Sequence, residues 1–338
     1  MKRDIKILDI FYGNKCNLAC NQCDTRSDHI RGKGIDDPEM DNIKESIYLA
    51  HKNFNVNIWG VLGGEPLLYL DKVEEIIAYL RTLEPTATVF FPTNGSLLDR
   101  KDNMDRVVEM TKKYNLMVQV CNHFPEFVDS SYSEKVLANT EELARRLDLT
   151  VPATGGDWWE QVIDMKAGGQ EWLAHMDTIG FSYDCLDEND RSWIGDGYGI
   201  YYIESPYFKS ITKWVDGQPK PFDSDDPKSS YWNSCPSGFC ALLKDKKIYK
   251  CAALGTLETM LKRYDALDDP AWEKYLGYKA LDLTTCTPDN IADMMKNIYC
   301  HIDECSMCPK NPVDIRKVEA EVMPKFKKYT DTIDTVNL

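Results

Sequence analysis

A chain of 338 residues, 43% hydrophobic and 28% charged, is long enough for one large globular domain or for a domain with a smaller attachment. Its net charge of −15 argues against a nucleic-acid partner, which needs concentrated Lys and Arg, and no apolar run is long enough to mark a membrane span. The opening MKRDIKILDIFYG carries Asp4, Lys6 and Asp9 among its apolar residues and so lacks a signal-peptide core. A cytoplasmic protein is expected, and there 12 cysteines point to metal or cluster binding rather than to disulfides.

In chain order, Ile5 to Phe11 reads as a buried strand running into NKCNLACNQC, where Cys16, Cys20 and Cys23 are spaced C-x3-C-x2-C. Three soft thiolates in one short loop can hold three irons of a [4Fe–4S] cube and leave the fourth open to a small molecule. A structural zinc site usually wants four ligands, often as paired C-x2-C units, and fits this triad poorly. His29, Arg31 and Lys33 follow in a charged stretch that reads as a solvated turn. Asp37-Pro38 predicts a helix start with Asp37 as N-cap, and Met40, Ile43 and Ile47 follow at helical spacing. Val56 to Leu62 predicts a second strand, ending in GGEPLL from Gly63 to Leu68. A glycine pair lets backbone approach a ligand closely, and Glu65 adds an acceptor beside it.

Asp71 is expected to cap the next helix, with Val73, Ile76, Ile77 and Leu80 on one face. Ala87 to Phe91 predicts a third strand, stopped by Pro92 before the turn at Asn94-Gly95. A helix near Asp102 to Tyr114, a strand at Leu116 to Cys121 and a helix near Ser133 to Leu147 continue the alternation. Strands are also expected near Leu149 to Pro152 and Ile179 to Tyr183. Strands separated by single helices imply right-handed crossovers and a parallel α/β sheet, closed or open, with chemistry at the C-terminal strand ends. Six of the eight tryptophans then fall between Trp158 and Trp232, in a segment of weak periodicity, and Pro221 to Ser230 reads as an exposed linker.

Beyond the linker, Cys235 and Cys251 bracket two short strands around a turn at Asp245-Lys246, and Cys305 and Cys308 form a C-x2-C pair. Four such cysteines can converge on one metal, and zinc and an iron–sulfur cube fit them equally well. Cys240, Cys286 and Cys300 are left over; Cys240 is able to replace Cys235, and Cys300 a member of the pair. Val313 to Leu338 reads as a peripheral helix and tail.

The triad, GGEP and the Thr93-Asn94-Gly95 turn together resemble the radical S-adenosylmethionine (SAM) family. The resemblance implies a partial (β/α)6 barrel over residues 1–220, with Cys16, Cys20 and Cys23 on a catalytic [4Fe–4S] cluster. It further implies that Gly63, Gly64, Glu65 and Asn94 line the SAM site, and that Cys121 or Asn122 stands near the ribose. Gln22 departs from the aromatic residue usual before the third cysteine. Residues 231–312 resemble the twitch domain, a shortened relative of the SPASM domain, which implies a second, auxiliary [4Fe–4S] cluster on Cys235, Cys251, Cys305 and Cys308. Lys246 stands where that pattern has glycine. By the same resemblance the enzyme forms a 5′-deoxyadenosyl radical that takes hydrogen from a substrate, with flavodoxin or ferredoxin as electron donor. Dehydrogenation is the expected outcome, rearrangement or epimerisation its alternative, and a cluster or zinc protein without turnover the non-enzymatic reading. With only 15 residues before Cys16, a built-in N-terminal peptide binder is not expected, which favours a small polar substrate over a peptide supplied by a partner.

Overall fold

The structure is a computed structural model that describes residues 2–18, 23, 25–27, 37–123, 130–149, 153–154, 191–194, 197–205, 212–235 and 240–310. Cys20, Gln22, His29, Arg31, Lys33, the strand expected at 179–183, most of the tryptophan-rich segment and the tail from 313 lie outside those residues. In chain order the elements are β1 (Arg3–Phe11), α1 (Met40–Asn53), β2 (Phe54–Leu62), α2 (Leu70–Leu83), β3 (Thr88–Thr93), α3 (Lys101–Tyr114), β4 (Leu116–His123) and α4 (Ser130–Arg146). There follow β5 (Ala153–Thr154), β6 (Arg191–Ile194), β7 (Gly199–Ser205), β8 (Lys213–Val215), β9 (Gln218–Lys220) and α5 (Pro227–Ser234). The last are β10 (Cys240–Lys244), β11 (Lys247–Tyr249), α6 (Leu257–Arg263), β12 (Leu281–Asp282) and α7 (Pro288–Asn297). The fold is α/β with a parallel-rich sheet, and no described helix is long and apolar enough to cross a membrane.

The chain divides into two units, Met1–Ala87 with Phe208–Leu338, and Thr88–Tyr207. In the first, the strand order is β12-β11-β10-β1-β2. Strand β1 runs parallel to β2, with Ile7 opposite Ile58, and parallel to β10, with Ile7 opposite Cys240. A strand paired on both sides in a covered sheet should be apolar almost throughout, and Ile5, Leu8, Ile10 and Phe11 are all buried. Helix α2 buries Val73, Ile76, Ile77 and Leu80 completely, the i, i+3, i+4, i+7 stripe that its sequence predicts. Each such side chain is worth roughly 1.5–3 kcal/mol when fully buried.

The hairpin of β10 and β11 turns through Asp245 and Lys246, both left-handed with φ of 51° and 60°. That is the type I′ geometry that favours glycine, and α1 holds it in place. Asn42 Nδ2 donates to Asp245 Oδ1, Lys246 N donates to Ser46 Oγ, and the Lys246 ammonium meets Glu45. The hairpin expected from the sequence is thus present, and its missing glycine is replaced by tertiary contacts. The stretch 221–230 is no exposed linker. Pro221 and Ser230 are buried, Phe222 N and Ser224 N donate to the carbonyls of Met307 and Ser306, and Asp226 caps α5 through Ser229 N.

In the second unit the order is β3-β4-β7-β6-β5, with β3, β4 and β7 parallel and β6 and β5 antiparallel additions. Strand β3 runs on through Pro92, which stands opposite Gln119, rather than stopping at Phe91. The strand expected at 149–152 is instead the short β5 at Ala153–Thr154. Sequence reading missed β6, β7, β8, β9 and β12, of which β7 is the longest; its Ile200, Tyr201 and Tyr202 are core residues at 2% exposure or less.

Candidate active site

Beyond β1 the chain passes through Tyr12 and Gly13 to Asn14, Lys15 and Cys16, at the C-terminal end of the strand. There it is fastened to the turn that ends β2. Tyr12 N donates to Leu62 O, Gly64 N to Gly13 O at 2.8 Å, and Glu65 N to Lys15 O at 2.9 Å. The fit leaves no room for side chains. A Cβ on Gly64 would stand 2.0 Å from Lys15 O and 2.5 Å from Lys15 C, and one on Gly63 would stand 2.5 Å from Gly13 O. The glycine pair therefore brings two backbones together. Glu65 is buried, and its Oε1 accepts from Leu67 N, capping the short helical turn Pro66–Leu68.

Asp37 is not the N-cap of α1. Glu39 occupies that position without a side-chain bond, and α2 is preceded by Tyr69 rather than capped by Asp71. The Asp37 carboxylate instead reaches back across the cysteine loop, with Oδ1 accepting from Asn14 N at 2.7 Å and Oδ2 from the Tyr69 hydroxyl at 2.6 Å. The Tyr69 oxygen in turn accepts from Lys15 N, and Lys72 Nζ donates to Pro38 O. The two ends of the loop that carries the triad are thereby closed by one carboxylate and one phenol. Tyr12, fully buried, donates its hydroxyl to Gly64 O; burial, then the charges of Glu65 and Cys16, raise its pKa well above the usual tyrosine range. Burial and the bond to Asp37 raise that of Tyr69. Both phenols stay protonated and act as fixed donors.

Asp37→Asn should loosen this closure. An amide there keeps an acceptor but loses a charge-assisted bond worth about 1.5–3 kcal/mol. Thermal unfolding is expected at lower temperature, and Tyr69→Phe in the same background should cost less than it does alone, because the two share one bond.

Cys23 lies on the far arm of the loop. Its thiol is 3.2 Å from Thr25 Oγ1, which bonds Ser27 Oγ and donates to Gly63 O, so the third cysteine is tied to the same glycine turn. Cys16 and Cys23 are thus both held against the end of β2, while Cys20 lies between them outside the described residues. Soft thiols on a loop locked at both ends are a donor set that suits iron–sulfur ligation.

In the second unit, Asn94 follows β3 and is buried, its Oδ1 accepting from Ser96 N at 3.0 Å. Thr93 Oγ1 accepts from Gly95 N, and Gly95 is left-handed at φ 69°, where a Cβ would stand 2.7 Å from Val120 Cγ1. Side-chain caps and packing against β4 account for this turn. Nearby, Asn122 is fully buried and donates to the Tyr202 hydroxyl at 2.9 Å, a partner on the strand that the sequence did not reveal. Cys121 is buried and accepts from Gln119 Nε2.

Among the tail cysteines, Cys235 ends α5, Cys251 precedes the helical turn Ala252–Gly255, and Cys305 and Cys308 flank the last turn of a short 3-10 helix. Burial, then Cys235 and, less strongly, Cys305, pushes the Cys251 thiol up to about 12, so these three thiols feel one another. Cys251 and Cys308 also pack on one core with Leu257, Met260, Trp272, Tyr275 and Met307. Of the leftover thiols, Cys300 donates to Lys296 O and Cys286 to Leu283 O, and Cys240 begins β10. Among the described residues no three His, Cys, Asp or Glu side chains are gathered on a single metal-ion position.

The Radical SAM superfamily profile matches residues 10–165, the span that holds the triad, GGEP and Thr93-Asn94-Gly95. This stretch is a radical SAM domain. Over 182 residues, 52% of this chain and 68% of the relative, the protein is 27% identical to the 7-carboxy-7-deazaguanine synthase of Methanothermobacter thermautotrophicus. Two solved structures are similar to it at lower identity. Native anSMEcpe with bound AdoMet matches at 14% identity with a TM-score of 0.34, over 67% of this chain and 58% of that one. BtrN in complex with AdoMet and 2-DOIA matches at 13% identity with a TM-score of 0.39, over 93% and 99%. A radical SAM domain implies a [4Fe–4S] cluster and SAM, and the locked cysteine loop supplies donors of the right kind for the cluster.

Proposed function

We propose that the chain is a cytoplasmic radical SAM enzyme that dehydrogenates a small polar substrate. The observation that carries this reading is the fastening of the Cys16–Cys23 loop, at the C-terminal end of β1, to Gly63, Gly64 and Glu65 at the end of the adjacent parallel strand β2. Cys16, Cys20 and Cys23 hold the catalytic cluster. Gly63, Gly64, Glu65 and Asn94 line the SAM site. When bound, the cluster supplies one electron to SAM, whose sulfonium breaks to give methionine and a 5′-deoxyadenosyl radical. That radical takes a hydrogen atom from substrate carbon, and the product forms as the substrate radical gives up one electron and one proton.

Residues 1–220 form a partial (β/α)6 barrel in this reading, and 231–312 a twitch-type domain. Cys235, Cys251, Cys305 and Cys308 would hold an auxiliary [4Fe–4S] cluster there, which would supply an acceptor for one electron. The packing of Cys251 and Cys308 against one core supports that ligand set. A flavodoxin or ferredoxin delivers the electron that starts each turnover. The 27%-identical relative is named for a small-molecule product, which favours a small substrate over a peptide.

The test is anaerobic reconstitution with iron and sulfide, strong reduction, and measurement of 5′-deoxyadenosine. Release of 5′-deoxyadenosine is expected, and a reduced, iron-loaded protein that leaves SAM intact would overturn the reading. Once a substrate is in hand, net oxidation in step with SAM consumed identifies dehydrogenation; a product at the substrate's oxidation level identifies rearrangement or epimerisation.

A further inference from the structure

Arg26 lies three residues beyond Cys23 and is fully buried. Its backbone is left-handed at φ 57°, a conformation that a bulky residue keeps only when its surroundings hold it there. Arg26 N donates to Cys23 O at 2.8 Å, so the cysteine loop turns back at this point. The side chain then leaves the loop for the tail of the same unit. Its guanidinium donates to Thr212 Oγ1 at 2.7 Å and meets the sulfur atoms of Met260 and, at 3.8 Å, Met307.

Met307 stands between Cys305 and Cys308. It is buried in the core of Met260, Trp272 and Tyr275, and its carbonyl is fixed by Phe222 N. One side chain therefore runs from the third cysteine of the first set to the C-x2-C pair of the second. Neither set of cysteines, read as a motif, calls for an arginine in that place.

A guanidinium keeps its charge at every accessible pH. An iron–sulfur group that takes up one electron, [4Fe–4S]2+ to [4Fe–4S]+, gains one negative charge. A fixed cation in the same dry packing favours the reduced form over the oxidised one. Resting on the two-cluster reading above, we propose that Arg26 is a positioning residue that joins the two cysteine sets. Its buried charge raises the reduction potential of the tail site, making that site a better acceptor for the substrate's electron.

The experiment uses the full chain with Cys16, Cys20 and Cys23 all changed to Ala, so that only the tail site gives a signal. Iron and sulfide are counted, and the midpoint potential is read by electron paramagnetic resonance during anaerobic titration with dithionite. Arg26, Arg26→Lys and Arg26→Gln are compared. The expected result is a midpoint shifted to more negative potential in the Gln variant and a near-parental midpoint in the Lys variant. An unchanged midpoint in Arg26→Gln, or equal shifts in both variants, would overturn the proposal. If Arg26→Gln takes up no iron, Arg26→Lys decides. Loading with the parental midpoint upholds the need for a charge, and failure to load reduces Arg26 to packing and overturns it. A tail that holds no iron even with Arg26 in place defeats the second-cluster reading itself, and shows it before Arg26 is altered.

Discussion

Replacing Cys16, Cys20 and Cys23 together with Ala should abolish 5′-deoxyadenosine formation while leaving about half of the bound iron. The parent is expected to load about 8 irons per chain, as two four-iron cubes, and the triple variant about 4. On the proposed reading each of the three cysteines is one of only three protein ligands on the open cube, so single replacements should be nearly as damaging to SAM cleavage as the triple change. The tail cysteines belong to different elements, the end of α5, the turn at Ala252 and the 3-10 helix at Asp303, so the proposed tail ligands are separate from the triad. Full SAM cleavage by Cys20→Ala would sink the assignment. A triple variant holding one zinc and no iron would instead make the tail a zinc site, and about 12 irons in the parent would point to a third cube.

Gly64→Ala should be almost as severe although it removes no ligand. The added Cβ has to occupy a point 2.0 Å from Lys15 O and 2.5 Å from Lys15 C, and both are backbone atoms with no rotamer to escape into. Relief requires parting the Glu65 N to Lys15 O and Gly64 N to Gly13 O bonds, a loss of about 1 kcal/mol each before any strain. The cysteine loop then loses its seat on β2. The expected result is iron content reduced to that of the tail site and SAM cleavage near zero, with soluble protein still obtained. Gly277→Ala is the control: its nearest neighbour would be 3.3 Å away, and iron content there should match the parent. Parental iron and activity in Gly64→Ala would remove the glycine turn from the site.

The sequence carried β1, β2, α2 and the hairpin at Asp245-Lys246 plainly, because in each the apolar period or the turn chemistry is local. Asp37 was misread for the same reason. Asp-Pro is a good local helix start, yet the carboxylate bonds Asn14 N and Tyr69, partners 23 and 32 positions away that no short window contains. Gly63 and Gly64 were recognised, but their constraint is the backbone of Gly13 and Lys15 on another strand end. Tyr201 and Tyr202 gave no strand signal because they stand in a sequence segment of weak periodicity. The register of their strand with β4, Gln119 opposite Tyr201, is set by tertiary pairing alone. Arg26 was passed over entirely. An arginine in a polar loop gives no sign of burial until Thr212, Met260 and Met307 are seen around it.

The parallel pairing of β1 with β10 also bears on biosynthesis. Ile7 stands opposite Cys240 and Ile10 opposite Leu243, so one flank of the first strand waits for chain made more than two hundred residues later. At the usual pace of translation, about 5–20 residues per second, that wait lasts roughly 10–50 s. Throughout it the apolar IKILDIF segment presents an unpaired flank, the kind of surface that recruits other nascent chains. Shielding by a chaperone during synthesis would suit such a chain. Premature termination before β10 would harm more than the missing end of the chain, because it would strip the strand that leads into the first cysteine loop of its neighbour.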